Sequence, residues 1–368
     1  MSLINFNENK HFYKSTIFYL LLIFLLYLVL NLYFSININN SILRVIKFAL
    51  IIFLVKEMQK IIIYDQLSFE KIINFWVIIF IIVSFDILFE FIFGFNTLGI
   101  KSPIWGRISS FFGDELVVGS FYHFLSLIVL AFFLKKKYSN KSIIILAGSI
   151  IIISFIIGER ANFIRLLISV FLFLFLALKI SLIKKVGSFA LILISISLIF
   201  VLNGDLNKRY YHQLKTLYSI NGIEKYYKQS QYGAHQETAY QIFKNNFYFG
   251  IGIKNFRDES RKKKYKNENF EKTDWRQATH PHQLHLELLS ETGLIGYLLF
   301  LFLIFYSLII SFKKYLIFKN NYLLASIIFL LSSLIPVIPT GSLFSTFYGG
   351  IFWFNFSLMI GLNNYSKS

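Results

Sequence analysis

The chain has 368 residues, no cysteine, 56% apolar residues against 15% charged, a mean hydropathy of +0.61 and a net charge of +18. Surface-to-volume scaling leaves much of any soluble fold facing water, so this apolar excess excludes a soluble globular protein. The missing cysteine excludes disulfide frameworks, thiolate metal sites and cysteine nucleophiles, and 44 phenylalanines exclude disorder.

What remains is an all-α polytopic integral membrane protein. Lys and Arg fall in short clusters between long apolar runs, the pattern of membrane loops, so no nucleic-acid partner is expected. A helix needs about 20 apolar residues to cross the hydrocarbon core. On that basis about ten transmembrane helices are predicted, near 16–34, 43–55, 72–93, 116–134, 142–157, 162–178, 187–203, 292–312, 321–337 and 346–362. The second and fifth are short. The first lacks a small-residue cleavage site and reads as a retained span. No repeat of fixed period is present.

One set of short loops, from Lys10 and Lys14 through Lys135, Lys136 and Lys137 to Lys313, Lys314 and Lys367, holds sixteen cations. The opposite set holds three: Lys101, Arg107 and Arg160. Arg44 and Lys47, at the start of the second span, run against this bias. The positive-inside rule places the rich set, and with it both termini, in the cytoplasm, as an even number of spans requires. The organisation expected is an N-terminal bundle over 1–203 with about seven spans, a polar outer loop over 204–290, and a C-terminal bundle over 291–368 with about three. The loop carries fifteen Lys or Arg against nine Asp or Glu. Amphipathic stretches at 206–218 and 238–247 predict helices inside it. A solvated loop of this size points to a lid or binding element.

Two polar constellations could carry chemistry. The first runs Thr279-His280-Pro281-His282-Gln283-Leu284-His285-Leu286-Glu287 and continues through Ser290, Glu291, Gly293 and Gly296 into the eighth span. His282 stands where an imidazole could take a proton from a hydroxyl at the membrane surface, and histidine titrates near ambient pH unaided. The plainer alternatives are interfacial packing or a helix cap. A metal between His282 and His285, with Glu287 or Glu291 nearby, is a further alternative, although the spacing is not that of a zincin. The second constellation is Gly158-Glu159-Arg160-Ala161-Asn162, a polar break between two apolar runs. Arg160 could bind a phosphate through its bidentate guanidinium, or it could hold helices together in an ion pair. Arg165 reads as structural, with Asp86 and Glu90, four apart on one helix face, as candidate partners for the arginines. Gly250-Ile251-Gly252 lacks a third glycine and reads as a tight turn, not a dinucleotide loop. The basic run Arg261 to Lys264 could meet anionic headgroups or a diphosphate, or be a solvated face.

Taken together, these residues resemble the O-antigen ligase and polymerase superfamily of bacterial envelope glycan transferases. His-Pro-His282-Gln283 followed by Glu291, Gly293 and Gly296 is similar to that family's His-Asn…Glu-x-Gly-x-x-Gly signature. Gly-Glu-Arg160 is similar to its outer loop ending in Arg, and Phe-Gly250-Ile-Gly252 with Asn255-Phe256 to its Phe-Gly-x-Gly turn. The resemblance is carried by roughly 105–300, including Arg107. It implies a GT-C-like fold in the bacterial inner membrane with its active site on the periplasmic side and no cofactor. Its donor is a glycan on undecaprenyl diphosphate and its acceptor a hydroxyl of lipid A-core or another glycan, among membrane lipids. His282 and Arg160 take the catalytic roles, and Arg107, His235, Arg257, His280, Gln283 and Glu291 the substrate-binding ones. The family's ligases place a second Arg before the Gly-x-Gly turn. None stands there in this chain, which leaves His235, Arg209 or Arg257 as substitutes. The resemblance implies inverting, metal-independent transfer. A polymerase acting on the same donor is the alternative within the class, and a transporter the alternative outside it.

Overall fold

The computed structural model describes residues 12–363; Lys10 and Lys367 lie outside the described residues, as do the side chains of Ser188, Asp205, Arg209, His212, Gln213, Leu214 and Leu217. Among the described residues the chain is built of helices and turns with no strand. In order these are α1 Thr16–Asn31, α2 Ile38–Tyr64, α3 Gln66–Phe93, α4 Val118–Lys135, α5 Asn140–Ile156, α6 Arg160–Ala177 and α7 Leu182–Leu202. The polar segment contributes α8 Gly204–Leu217, α9 Gly222–Gln229 and α10 Gln231–Asn245, and the C-terminal part α11 Leu284–Phe318, α12 Asn321–Ser333 and α13 Phe347–Leu362. Seven helices (α1, with its short extension to Phe34, α2, α3, α4, α6, α7 and α11) are long and apolar enough to cross a membrane, and α5, α12 and α13 are shorter apolar helices. The protein is a polytopic membrane protein.

The boundaries differ from the sequence expectation where charge or proline was misweighed. The second span is a 27-residue helix and not the short run 43–55. Arg44, Lys47, Lys56 and Lys60 interrupt its hydropathy, but Lys and Arg are good helix formers and the backbone runs on through them. The ninth span stops at Ser333, short of 337. Pro336 and Pro339 follow, and proline disfavours helical backbone at itself and before it. The eighth begins at Leu284, about two turns earlier than its apolar run, and breaks at Gly293 (φ 67°, ψ −175°). The outer-loop helices start before 206 and 238 but end at Leu217 and Asn245, short of 218 and 247, and α9 was not foreseen.

The chain forms two compact units, each assembled from separate stretches. The first comprises residues up to Asp65, Ser219–Lys314 and Leu334 onward. Its core is α2 packed along α13, with α1 beside it. Phe24 packs edge-on against Phe48, and Phe48 against Trp353, both at 5.1 Å between ring centres. The second comprises Gln66–Tyr218 and Tyr315–Ser333. There α4 is the central helix, packed by α3, α5, α6 and α12.

Candidate functional site

In the first unit, four connecting segments gather at one end of the helices: 31–41, 249–258, 280–287 and 334–343. Two carboxylates on successive turns of α11 hold them. Glu291, fully buried, accepts the backbone N–H of Lys254 (2.7 Å) on one oxygen and that of Phe256 (3.1 Å) on the other. Its own backbone carbonyl accepts the N–H of Gly252 at 2.9 Å. Glu287, equally buried, accepts the Ser342 hydroxyl and the N–H of Leu343 (2.8 Å). The Gly-x-Gly turn and the Glu-x-Gly signature are therefore one knot. A Cβ on Gly250 would lie 2.5 Å from the Glu291 carbonyl, and one on Gly293 2.3 Å from the Tyr248 oxygen. Both glycines also have positive φ, which L side chains rarely adopt. On its other side the turn is tied to the α1–α2 connection: Asn255 donates to Ser35 (2.7 Å) and Ser41 (3.0 Å), and Asn31 donates to the Phe249 carbonyl (2.6 Å).

This frame presents a cluster of three imidazoles. His235, on α10, stacks on His282 at 5.2 Å, and His280 lies 4.1 Å from His282 between ring centres. Tyr232 closes the cluster edge-on against His282 at 5.3 Å. The hydrogen bonds assign different tasks to the four described histidines of unit one. His235 is buried and donates from Nε2 to the Trp275 carbonyl (2.7 Å), which leaves a lone pair on its buried, unpartnered Nδ1. His280 bonds through Nε2 to the Thr340 carbonyl (3.4 Å) and through Nδ1 to Thr279 (2.9 Å). His285 bonds through Nε2 to the Leu334 carbonyl (2.8 Å) and through Nδ1 to the Tyr297 hydroxyl (3.1 Å). Both ring nitrogens of His285 are thus engaged within the protein. Among the described residues His282 alone of the four has no hydrogen-bond partner on either ring nitrogen.

Burial drives these rings to the neutral form. The His282 pKa falls to about 4, chiefly by desolvation and then by the charge of His235. His280 is held well below its ordinary value by burial, then by His282 and Lys254. His235 is lowered by burial, opposed by its bond to the Trp275 carbonyl. His282 sits at φ 53°, a left-handed conformation that a β-carbon tolerates poorly. Its carbonyl accepts the N–H of Thr340 at 2.9 Å, which fixes that turn.

Of the other sequence-predicted residues, Gln283 uses its amide within the protein. Its oxygen accepts the N–H of Leu286 (2.5 Å) at the start of α11, and its nitrogen donates to the Pro336 carbonyl (3.0 Å). Arg257 is exposed on the loop after the turn. Sequence reasoning missed Lys254. It is half-buried at φ 66°, its Nζ is 3.4 Å from the Ser342 hydroxyl, and its charge acts on His280. Its position inside the Gly-x-Gly turn was the available signal.

Arg160, Arg107 and Arg165 belong to the second unit. Arg160 begins α6, half-buried, and has no hydrogen-bond or ion-pair partner among the described residues. Arg107 is paired with Glu159 at 2.7 Å and donates to the Leu116 carbonyl at 3.0 Å. Arg165 is buried and donates to Asn162 at 3.0 Å. Asp86 and Glu90 are not the arginines' partners. Asp86 accepts from Thr97 (N 2.8 Å, Oγ1 2.6 Å) and from Ser110 Oγ (2.5 Å), and Glu90 from the N–H of Ser109 (3.2 Å) and of Ser110 (2.6 Å). Shared helical spacing put them on one face, but that face holds the 96–110 connection.

Fold and site together define a polytopic helical membrane protein with an imidazole cluster at one end of its first unit. Residues 145–301 match the family model described as O-antigen ligase, so this stretch of the chain is similar to that family. The matched stretch spans Arg160, His235, the Gly-x-Gly turn, His282 and Glu291. A comparison with curated proteins found no match.

Proposed function

We propose that the protein is an O-antigen ligase-like glycosyltransferase, moving a glycan from undecaprenyl diphosphate to a hydroxyl of lipid A-core on the periplasmic face of the inner membrane. Both termini then lie in the cytoplasm. The observation that carries this reading is His282: a neutral imidazole, unengaged on both nitrogens, within a half-buried cluster. In the reaction His282 takes the proton of the acceptor hydroxyl, whose oxygen attacks the anomeric carbon. The bond from that carbon to the diphosphate oxygen breaks, and its electron pair leaves with the lipid diphosphate. Attack from the opposite side inverts the anomeric centre. A diphosphate leaves readily, so the barrier is governed by how its developing charge is stabilised.

Arg160 supplies that cation, its guanidinium being free to bind two phosphate oxygens. Lys254 stands beside the histidines in the role for which His235, Arg209 and Arg257 were considered, and no step requires a metal. Arg257, His280 and Glu291 serve substrate binding at lower rank: Arg257 from an exposed loop, the other two by shaping the site. Arg107 and Gln283 act through their contacts within the protein.

The test is transfer in proteoliposomes holding the purified protein, lipid-linked glycan and lipid A-core. Capped lipid A-core with wild type and its loss with His282→Asn is the expected result. Undiminished transfer by the variant removes His282 from the mechanism, and longer glycans still on their lipid carrier identify a polymerase.

A further inference from the structure

A second feature of the first unit lies apart from the imidazole cluster. Arg44 and Lys47, three apart on α2, line a cleft of about 130 Å³ together with Phe48, Ser345, Thr346 and Trp353. Arg44 is half-buried and has no hydrogen-bond or ion-pair partner among the described residues. Lys47 donates to the Thr346 hydroxyl at 2.8 Å, at the start of α13. No Asp or Glu occurs in residues 38–56 or 334–363, the two stretches that form the walls. The same pair of cations runs against the charge bias of the short loops.

A cation near a membrane is costly without a counter-charge and ordinarily finds one. Nothing in these walls supplies it. The α13 N-terminus, which adjoins the cleft through Thr346, Gly349 and Gly350, adds a partial positive charge of its own. Phe48 and Trp353 give the cleft an apolar floor. On the flank of the same helix Ile42, Leu43, Ile46 and Leu50 are exposed and form an apolar surface. A ligand suited to all of this is anionic at one end and hydrocarbon at the other.

We propose that this cleft binds the phosphate of a membrane lipid, with Arg44 and Lys47 on the phosphate oxygens and the acyl or prenyl chain along the exposed flank of α2. The proposal concerns binding and does not depend on the glycan-transfer reading. The cleft is joined to the imidazole cluster by one short segment, since Thr340 and Ser342, which bond His282 and Glu287, precede Ser345 and Thr346 in the chain.

The experiment uses the full-length protein in nanodiscs of dioleoylphosphatidylcholine doped with dioleoylphosphatidic acid, with retained lipid counted by native mass spectrometry. The probe phosphatidic acid is expected to be retained in preference to phosphatidylcholine. Arg44→Gln with Lys47→Gln should weaken that retention roughly thirtyfold, at about a factor of five for each cation near the surface. Lys47→Gln alone alters an exposed side chain and serves if the Arg44 variant fails to fold; its expected loss is about fivefold. Equal retention of the two lipids, or unchanged retention in the Lys47 variant, overturns the proposal. So does inorganic diphosphate binding as tightly as the lipid, which would make the ligand a free anion.

Discussion

His282 combines two demands in one residue, a left-handed backbone and an unengaged ring. Alanine tests both at once, because it removes the base and tolerates φ 53° poorly. Asparagine adopts that backbone more readily and removes only the base. Transfer should fall by about two to four orders of magnitude in His282→Asn, the usual worth of a general base, with melting temperature nearly unchanged. The pH profile follows from the depressed pKa. The neutral ring, the active form, persists down to about pH 4, so kcat/KM should stay level from pH 8 to about 5 and decline only near 4. A decline centred near 6.5 would show an unburied, ordinary histidine. Folding stability carries the same sign: unfolding restores an ordinary imidazole that takes up a proton, so the contribution of His282 weakens as pH falls from 6.5 towards 4. For Arg160, replacement by Lys keeps the charge but loses the fork, so activity should drop in both Lys and Ala variants, more in Ala. Full activity in both would remove bidentate diphosphate binding.

At the scale of elements, the turn at 249–256 and the start of α11 stand or fall together. Gly250→Ala and Gly293→Ala each drive a methyl into backbone at 2.5 Å and 2.3 Å and force a β-carbon into positive φ. Each should cost about 2–4 kcal/mol, from overpacking and backbone strain, read as a lowered melting temperature in detergent. The sequence carried this knot in part. Glycines, Glu291 and His282 were visible because their chemistry is local: a turn needs glycine, and a base needs imidazole. Their partners were not. Thr340 and Ser342 lie more than fifty residues from His282 and Glu287 and carry no motif of their own, and only tertiary proximity brings them in. Lys254 was hidden in the same way, as one lysine among many. Asp86 and Glu90 were assigned to the wrong partner because a shared helix face names a direction and not a neighbour.

At the scale of the whole molecule, hydropathy located the apolar helices of the described residues, seven of them long enough to cross a membrane, but misjudged their ends wherever charged residues continued a helix or proline stopped one. The sidedness proposed from loop charge is open to direct measurement. The chain has no cysteine, so single-cysteine variants report without background. Lys225→Cys on α9 should react with an impermeant maleimide in spheroplasts, and Lys141→Cys on α5 only after the membrane is opened; both side chains are exposed. The reverse pattern would move the imidazole cluster to the cytoplasm and end the glycan-transfer reading.

Glu287 and Glu291, one helical turn apart, each clasp a different connecting segment to the same rod. Two walls riveted to a single beam have no hinge between them. The turn at 249–256 and the stretch 340–343 are therefore spaced by one helical turn of α11, and loosening either clasp should shift that wall against the other.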